Sequence, residues 1–271
     1  MTAQASWIPR GTDTSKANTA RVYDYWLGGS HNFRADQDVA RALIAIEPNI
    51  RAVARANRGF LDRAVQFLAG AGIRQFLDIG SGIPTQRNVH EVAQQAAPGS
   101  TVVYVDSDDV AVSHSKLLLD GDRDAMAVHA DLRDPAKILT DPATLSLIDF
   151  SQPAGLLLAS VLHFLPESDE PHRLVAELRD ALAPGSYLVL SHGTREARQE
   201  EVGEAFEIVY NNRVSSQATV RPPEEILRFF DGFTLVDPGL VYTPLWRPDP
   251  GAETPADPAA FWLLAGVGVR S

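Results

Sequence analysis

Phe76-Leu77-Asp78-Ile79-Gly80-Ser81-Gly82-Ile83-Pro84 is a short apolar run that breaks at two glycines. A brief β-prone run bounded by glycine suits a strand of a parallel sheet covered on both faces. Lacking a Cβ, Gly80 and Gly82 can adopt positive φ and let a ligand lie against the backbone, while Pro84 suits the first turn of a following helix. Residues 85–97 place Val89, Val92, Ala93 and Ala96 at helical spacing and stop at Pro98-Gly99. The stretch predicts strand, glycine turn, helix.

The strands that follow carry acidic tips. Thr101-Val102-Val103-Tyr104-Val105 ends on Asp106, at the carboxyl edge beside the glycine turn, where a carboxylate can accept from both hydroxyls of a ribose. Residues 125–130 read as a third strand closing on Asp131-Leu132 at the same edge. Asp131 suits the exocyclic amine of an adenine, and the competing role of capping the segment from Pro135 falls better to Asp134. A glycine turn alone is a weak signal; joined to an acidic residue ending the next strand it favours a nucleoside cofactor over a structural bend.

A fourth strand, 155–161, passes into Leu162-His163-Phe164-Leu165-Pro166, and a fifth, 187–192, ends on His192. His163 is a candidate base at the sheet edge; the alternative is a hydrogen-bonded core histidine. Two histidines with no third ligand at a recognisable spacing, in a chain without cysteine, do not make a zinc site, so no metal is expected.

The 271 residues suffice for one large α/β domain with additions, and 22% charged with 45% hydrophobic residues is ordinary for a globular protein. A net charge of −11 argues against a generic grip on nucleic acid. The absence of cysteine removes disulfides and thiolate chemistry, and no apolar stretch is long enough to span a bilayer. With no signal pattern at the front, a cytoplasmic location is expected, while the oligomeric state is not readable.

Residues 1–14 are expected to be loosely held, with Trp7 and Ile8 able to dock on a surface. Residues 15–27 read as a helix capped by Thr14 or Ser15 and ended by Gly28-Gly29; residues 36–46 and 49–71 follow as two more. Two readings of the first helix stand open: its aromatics are core, or it is a lid with glycine hinges. Arg51, Arg55, Arg58 and Arg63 give the third helix a positive side, from which Asn57 or Arg58 can reach a ligand carboxylate. Residues 195–214 form a long polar helix with Val202, Phe206, Val209 and Tyr210 inward, and residues near 195–230 are read as an insertion over the substrate side. The last strands, 233–236 and 261–267, have no helix pattern between them and should pair antiparallel. The expected architecture is α/β, a doubly wound and mostly parallel seven-stranded sheet with the last strand antiparallel. Residues 15–72 form its helical extension and 73–271 its core.

Asp78-Ile79-Gly80-Ser81-Gly82, Asp106, Asp131-Leu132 and Ser160-Val161-Leu162-His163-Phe164-Leu165-Pro166 resemble, in order, the motifs of Rossmann-like methyltransferases that use S-adenosylmethionine. More narrowly, Ala20-Arg21-Val22-Tyr23-Asp24-Tyr25-Trp26-Leu27-Gly28-Gly29 with Asn32-Phe33, Arg55-Ala56-Asn57-Arg58, Asn88-Val89-His90-Glu91-Val92 and Arg228-Phe229-Phe230-Asp231-Gly232 are similar to a bacterial methyltransferase family whose substrates are largely unassigned. The resemblance covers nearly the whole chain from Ala17. It implies that Gly80 and Gly82 border the methionine part of S-adenosylmethionine, Asp78 meets its ammonium, Asp106 holds the ribose, and Asp131 and Leu132 take the adenine. Ser81, Ser107, Ser160, Tyr25 and Arg58 complete the implied cofactor contacts. His163 is implied as the catalytic base, with Tyr23 and His192 on the substrate side. Ser81 and Ile83-Pro84 depart from the commoner Gly-Cys-Gly or Gly-Thr-Gly turns. The chain also lacks the Asn-Pro-Pro-Tyr type element of enzymes that methylate nucleic-acid amines, which favours a small-molecule acceptor.

Two rivals accompany this reading. A nicotinamide oxidoreductase would use an acidic residue after the second strand equally well, but the third glycine is missing, Thr85 standing in its place, and Asp131 and the reversed last strand are unexplained. A non-catalytic S-adenosylmethionine-binding regulator would keep the fold without the reaction.

Overall fold

The run at 76–79 lies in the middle of the sheet. The computed structural model describes residues 8–9, 12–84, 87–196, 200–214 and 217–271, with the side chains of 200–202 excepted. β1 (Gln75–Ile79) is buried along its whole length and pairs in parallel with β2 (Thr101–Asp106) on one side and β4 (Gly155–Ala159) on the other. β3 (Ala125–His129) lies outside β2, and β5 (Tyr187–Gly193) beyond β4, both parallel. β8 (Leu263–Arg270) runs antiparallel between β5 and β6 (Phe233–Leu235), giving the order β3-β2-β1-β4-β5-β8-β6. The mostly parallel sheet with a reversed final strand is the expected one. A strand that the sequence does not predict, β7 (Val241–Tyr242), just ahead of the proline-rich stretch 244–258, also pairs with β8 and brings the described sheet to eight strands.

Alternation explains why these strands are apolar almost throughout. Leu77, Ile79, Val103, Val105, Leu156, Leu158, Leu188 and Leu190 enter the core on one face of the sheet, under α8 (Pro171–Ala181) and α10 (Pro223–Arg228). Phe76, Val102, Tyr104, Leu157 and Val189 enter the other, under α3 (Ile50–Gly70) and α4 (Val89–Ala96). With both faces covered, period-two patterning gives way to continuous apolar runs. α3 lies so close that a Cβ on Gly155 would sit 2.8 Å from Leu68 Cδ2.

Ahead of the sheet, α1 (Thr19–Leu27), α2 (Arg34–Ile46) and the first half of α3 form a separate apolar cluster with α9 (Glu200–Arg213): Val22, Trp26, Leu43, Ile50, Val53, Phe206 and Tyr210 meet there with Trp262. At about 1.5 Å per residue, the 21 residues of α3 make a rod of roughly 30 Å that joins this arm to the sheet.

Several boundaries differ from expectation. α1 is capped by Asn18, whose side chain accepts from Ala20 N at 2.8 Å, rather than by Thr14 or Ser15. α4 starts at Val89, not after Pro84, because Asn88 and Glu91 form the cap: Asn88 N donates to Glu91 Oε2 at 2.7 Å. α9 starts at Glu200 rather than 195. The expectations for Trp7 and for the Val202 side chain lie outside the described residues.

Candidate functional site

The carboxyl ends of the parallel strands open into a cavity roofed by the helical arm. At its centre the glycine turn folds back on β2: Val105 O accepts from Gly80 N at 2.8 Å and from Ser81 N at 3.2 Å. Gly80 (φ 73°) needs to be glycine for a local reason, since a Cβ there would stand 2.3 Å from Val161 Cγ2. Gly82 (φ 67°) has nothing within 4 Å of its Cβ position and lines the cavity. It is the residue of the turn against which a ligand can lie.

Asp106 braces this turn. Its Oδ2 accepts from Gly82 N at 2.7 Å and its Oδ1 from Asp108 N at 2.8 Å. A carboxylate has about four acceptor positions, so Asp106 keeps capacity for two hydroxyls. Burial pushes it up to about 6, against the pull of those N–H groups. Asp78, 3% exposed, accepts no hydrogen bond among the described residues, and burial pushes it up to about 7, with Arg58 opposing and Asp106 reinforcing the shift. A buried carboxyl on a cavity wall with no donor assigned to it suits a cationic ligand group.

The other tips meet the same space. Ser107, Asp131, Leu132 and Ser160 line the cavity with Ser81 and Arg58. Asp131 also holds Arg133, at 3.2 Å and by accepting Arg133 N at 2.8 Å, and Arg133 reaches Asp169 at 2.7 Å. Asp134, as expected, caps the next helix, α6 (Pro135–Thr140). Ser160 has φ 56°, a left-handed conformation uncommon outside glycine, asparagine and aspartate. It is held by a buried polar chain: Ser160 Oγ lies 3.3 Å from Ser191 Oγ, which donates to Asn57 Oδ1 at 2.6 Å, and Asn57 Nδ2 donates to the Tyr23 hydroxyl at 3.1 Å. The Tyr23 hydroxyl in turn donates to Ala54 O. Tyr23 therefore lines the cavity with its ring, its hydroxyl being engaged in joining α1 to α3.

His163 stands on a 3₁₀ turn, Leu162–Phe164, and lines the cavity. The turn is fastened from behind by Arg221, 1% exposed, which donates to Leu162 O at 3.2 Å and Leu165 O at 2.8 Å and pairs with Glu167 at 2.6 Å. Arg221 Nη1 also lies 3.0 Å from His192 Nε2. A guanidinium only donates, so Nε2 accepts and the imidazole proton is on Nδ1, facing Gly193 O at 2.7 Å. Fully buried, with its pKa well below the usual value chiefly from burial, His192 is a neutral acceptor for Arg221.

Two expectations are corrected here. His192 does not line the cavity; it follows Ser191 on the strand, its ring lying under Phe229 at 5.7 Å. Tyr25 does not line it either and sits instead between Arg41 and Arg51, 5.6 and 5.4 Å from its ring. Two residues at about 100° each carry Tyr25 to the far side of α1 from Tyr23, whereas Trp26, three on, returns to the cavity. Sequence reasoning also passed over Arg221, Trp262 and Asn18. Arg221 had no local signal, because its carbonyl partners lie 56 and 59 residues away in the chain.

A family model described as S-adenosyl methyltransferase matches residues 5–271. The chain belongs to this methyltransferase family. The methyltransferase is similar to two solved structures over nearly its whole length. One is a candidate methyltransferase of Thermobifida fusca, 42% identical, with 98% of this chain and 100% of that chain covered and a TM-score of 0.92. The other is a DUF574 family protein of Streptomyces avermitilis, 38% identical, with 96% and 99% covered and a TM-score of 0.90. No curated protein matches the methyltransferase. Neither the nicotinamide reading nor the non-catalytic one finds support in these likenesses. Among the described residues, no helix is long and apolar enough to cross a membrane.

Proposed function

We propose that the methyltransferase moves a methyl group from S-adenosylmethionine to a small-molecule acceptor inside the cavity. The observation that carries this reading is the convergence of Asp78, Asp106 and Asp131, each at the end of a neighbouring strand, on one cavity beside the open side of Gly82. Asp106 would hold the ribose hydroxyls with its remaining lone pairs, Asp131 the adenine amine, Leu132 the adenine face, and Asp78 the ammonium. Ser81, Ser107, Ser160 and Arg58 would border the same ligand. When bound, S-adenosylmethionine supplies a methyl group on a positively charged sulfur, already activated for displacement. What remains for the protein is alignment, exclusion of water and removal of the acceptor's proton.

His163 is the residue proposed for that proton. It lines the cavity, and its turn is held by Arg221 and by Thr219 N, which donates to His163 O at 2.6 Å. Calorimetric titration tests the reading: S-adenosylhomocysteine should bind at micromolar or tighter concentration and NAD should not, and the reverse order would overturn it. His163→Ala should lower turnover by about 100-fold or more while leaving S-adenosylhomocysteine affinity unchanged. Equal loss of both would make the histidine structural.

A further inference from the structure

The cavity has a second wall, and its chemistry bears on the acceptor; the inference that follows rests on the function proposed above. Away from the acidic strand tips the lining includes Trp26, Ile50, Val53, Phe164, Tyr210 and Trp262, while Arg58, further along α3, donates to Arg87 O and acts on Asp78. These apolar and aromatic residues all belong to, or pack against, the apolar cluster of the helical arm and α9. None of them carries a formal charge. The tyrosine hydroxyls on this side are engaged, Tyr210 with Thr19 at 2.8 Å and Tyr23 with Ala54 and Asn57, and burial pushes both tyrosines further from ionisation.

The rings are ordered among themselves. Phe164 and Tyr210 stack at 5.8 Å with 13° between planes. Trp262 sits at φ 36°, a left-handed conformation that a bulky residue rarely adopts and that local sequence would not choose. Among the described residues, Ser160 is the other non-glycine residue at positive φ that lines the cavity. Strain of this kind persists where the surroundings over-determine it, and binding sites are where it gathers.

We propose that the acceptor is an uncharged, flat aromatic molecule, seated against these rings. An anionic acceptor would lose its water against these rings, none of which carries a counter-charge. A saturated molecule of equal size would bury as much surface but forgo the edge-to-face and offset contacts that ring faces favour.

Three bicyclic probes of one size separate the possibilities: 2-naphthol, neutral at pH 7; 2-naphthoate, the same rings with a negative charge; and 2-decalol, neutral but saturated. Each is titrated calorimetrically into the full-length protein saturated with S-adenosylhomocysteine. 2-Naphthol should bind at least tenfold more tightly than either other probe. Trp262→Ala should weaken 2-naphthol at least tenfold and leave S-adenosylhomocysteine affinity within twofold, which also reports that the variant is folded; Trp262→Phe should retain most of the binding. Equal or tighter binding of 2-naphthoate or 2-decalol, or indifference to 2-naphthol, overturns the acceptor class while leaving the proposed function standing. Failure of S-adenosylhomocysteine itself to bind overturns the proposed function, and this inference with it.

Discussion

Asp78 concentrates the physics of the site in one side chain. Folded, it keeps its proton up to about pH 7; unfolded, it releases it near 3.8. Between these values the unfolded chain binds fewer protons, so stability falls as pH rises through that window and the loss is complete above about 7. Asp78→Asn should therefore gain stability relative to the parent between pH 4 and pH 8, by about 2–4 kcal/mol, read from denaturant unfolding at the two pH values. Binding should show the opposite slope. An ammonium needs the ionised carboxylate, so S-adenosylhomocysteine affinity should rise from pH 5.5 to 7.5 in the parent and be weaker and flatter in Asp78→Asn. Arg221 is the complementary case, a buried cation that works only on its own chain. Arg221→Met leaves the Leu165 carbonyl and Nε2 of His192 without their Arg221 donor, and Leu162 O with only the backbone N–H of Leu165. It should cost about 3 kcal/mol or more in thermal unfolding and lower turnover through displacement of His163.

At the level of the elements, the glycine turn and the start of the His163 segment are fitted to one another. Gly80→Ala faces both positive φ and the Val161 side chain, and should destabilise by about 2 kcal/mol or more. Val161→Ala in the same chain should recover the steric part but not the backbone part, a coupling that a double-mutant cycle measures. This part of the fold was legible because each strand is a short apolar run ended by glycine or aspartate, and those punctuation marks are local. The helical arm was not legible to the same degree. Asp36, fully buried, accepts from Asn18 N at 2.9 Å and Phe33 N at 2.7 Å, and Asp24 accepts from His31 N and the Asn32 side chain. Carboxylates that tie backbone N–H groups across a bend leave no periodicity to read. Asp24 also lies against Gly29, where a Cβ would be 1.9 Å from Oδ1, so the corner after α1 is closely packed on that carboxylate. α4 illustrates a signal present but overlooked, since Asn88 and Glu91 form a capping pair that outranks Pro84.

Across the whole molecule, the cavity exists because two apolar clusters share one helix. The first half of α3 belongs to the arm and the second half to the sheet, so one helix carries both part of the cavity's roof and part of the sheet's cover. The position of β8 has an equally broad consequence for how the chain assembles. β6 and β7 hydrogen-bond to β8 and not to the strands made before them. During synthesis they therefore emerge with no template, and the edge of β5 stays bare until residues 263–270 have left the ribosome. A nascent chain stalled before that point exposes an open, apolar edge on which a neighbour's strand can mispair.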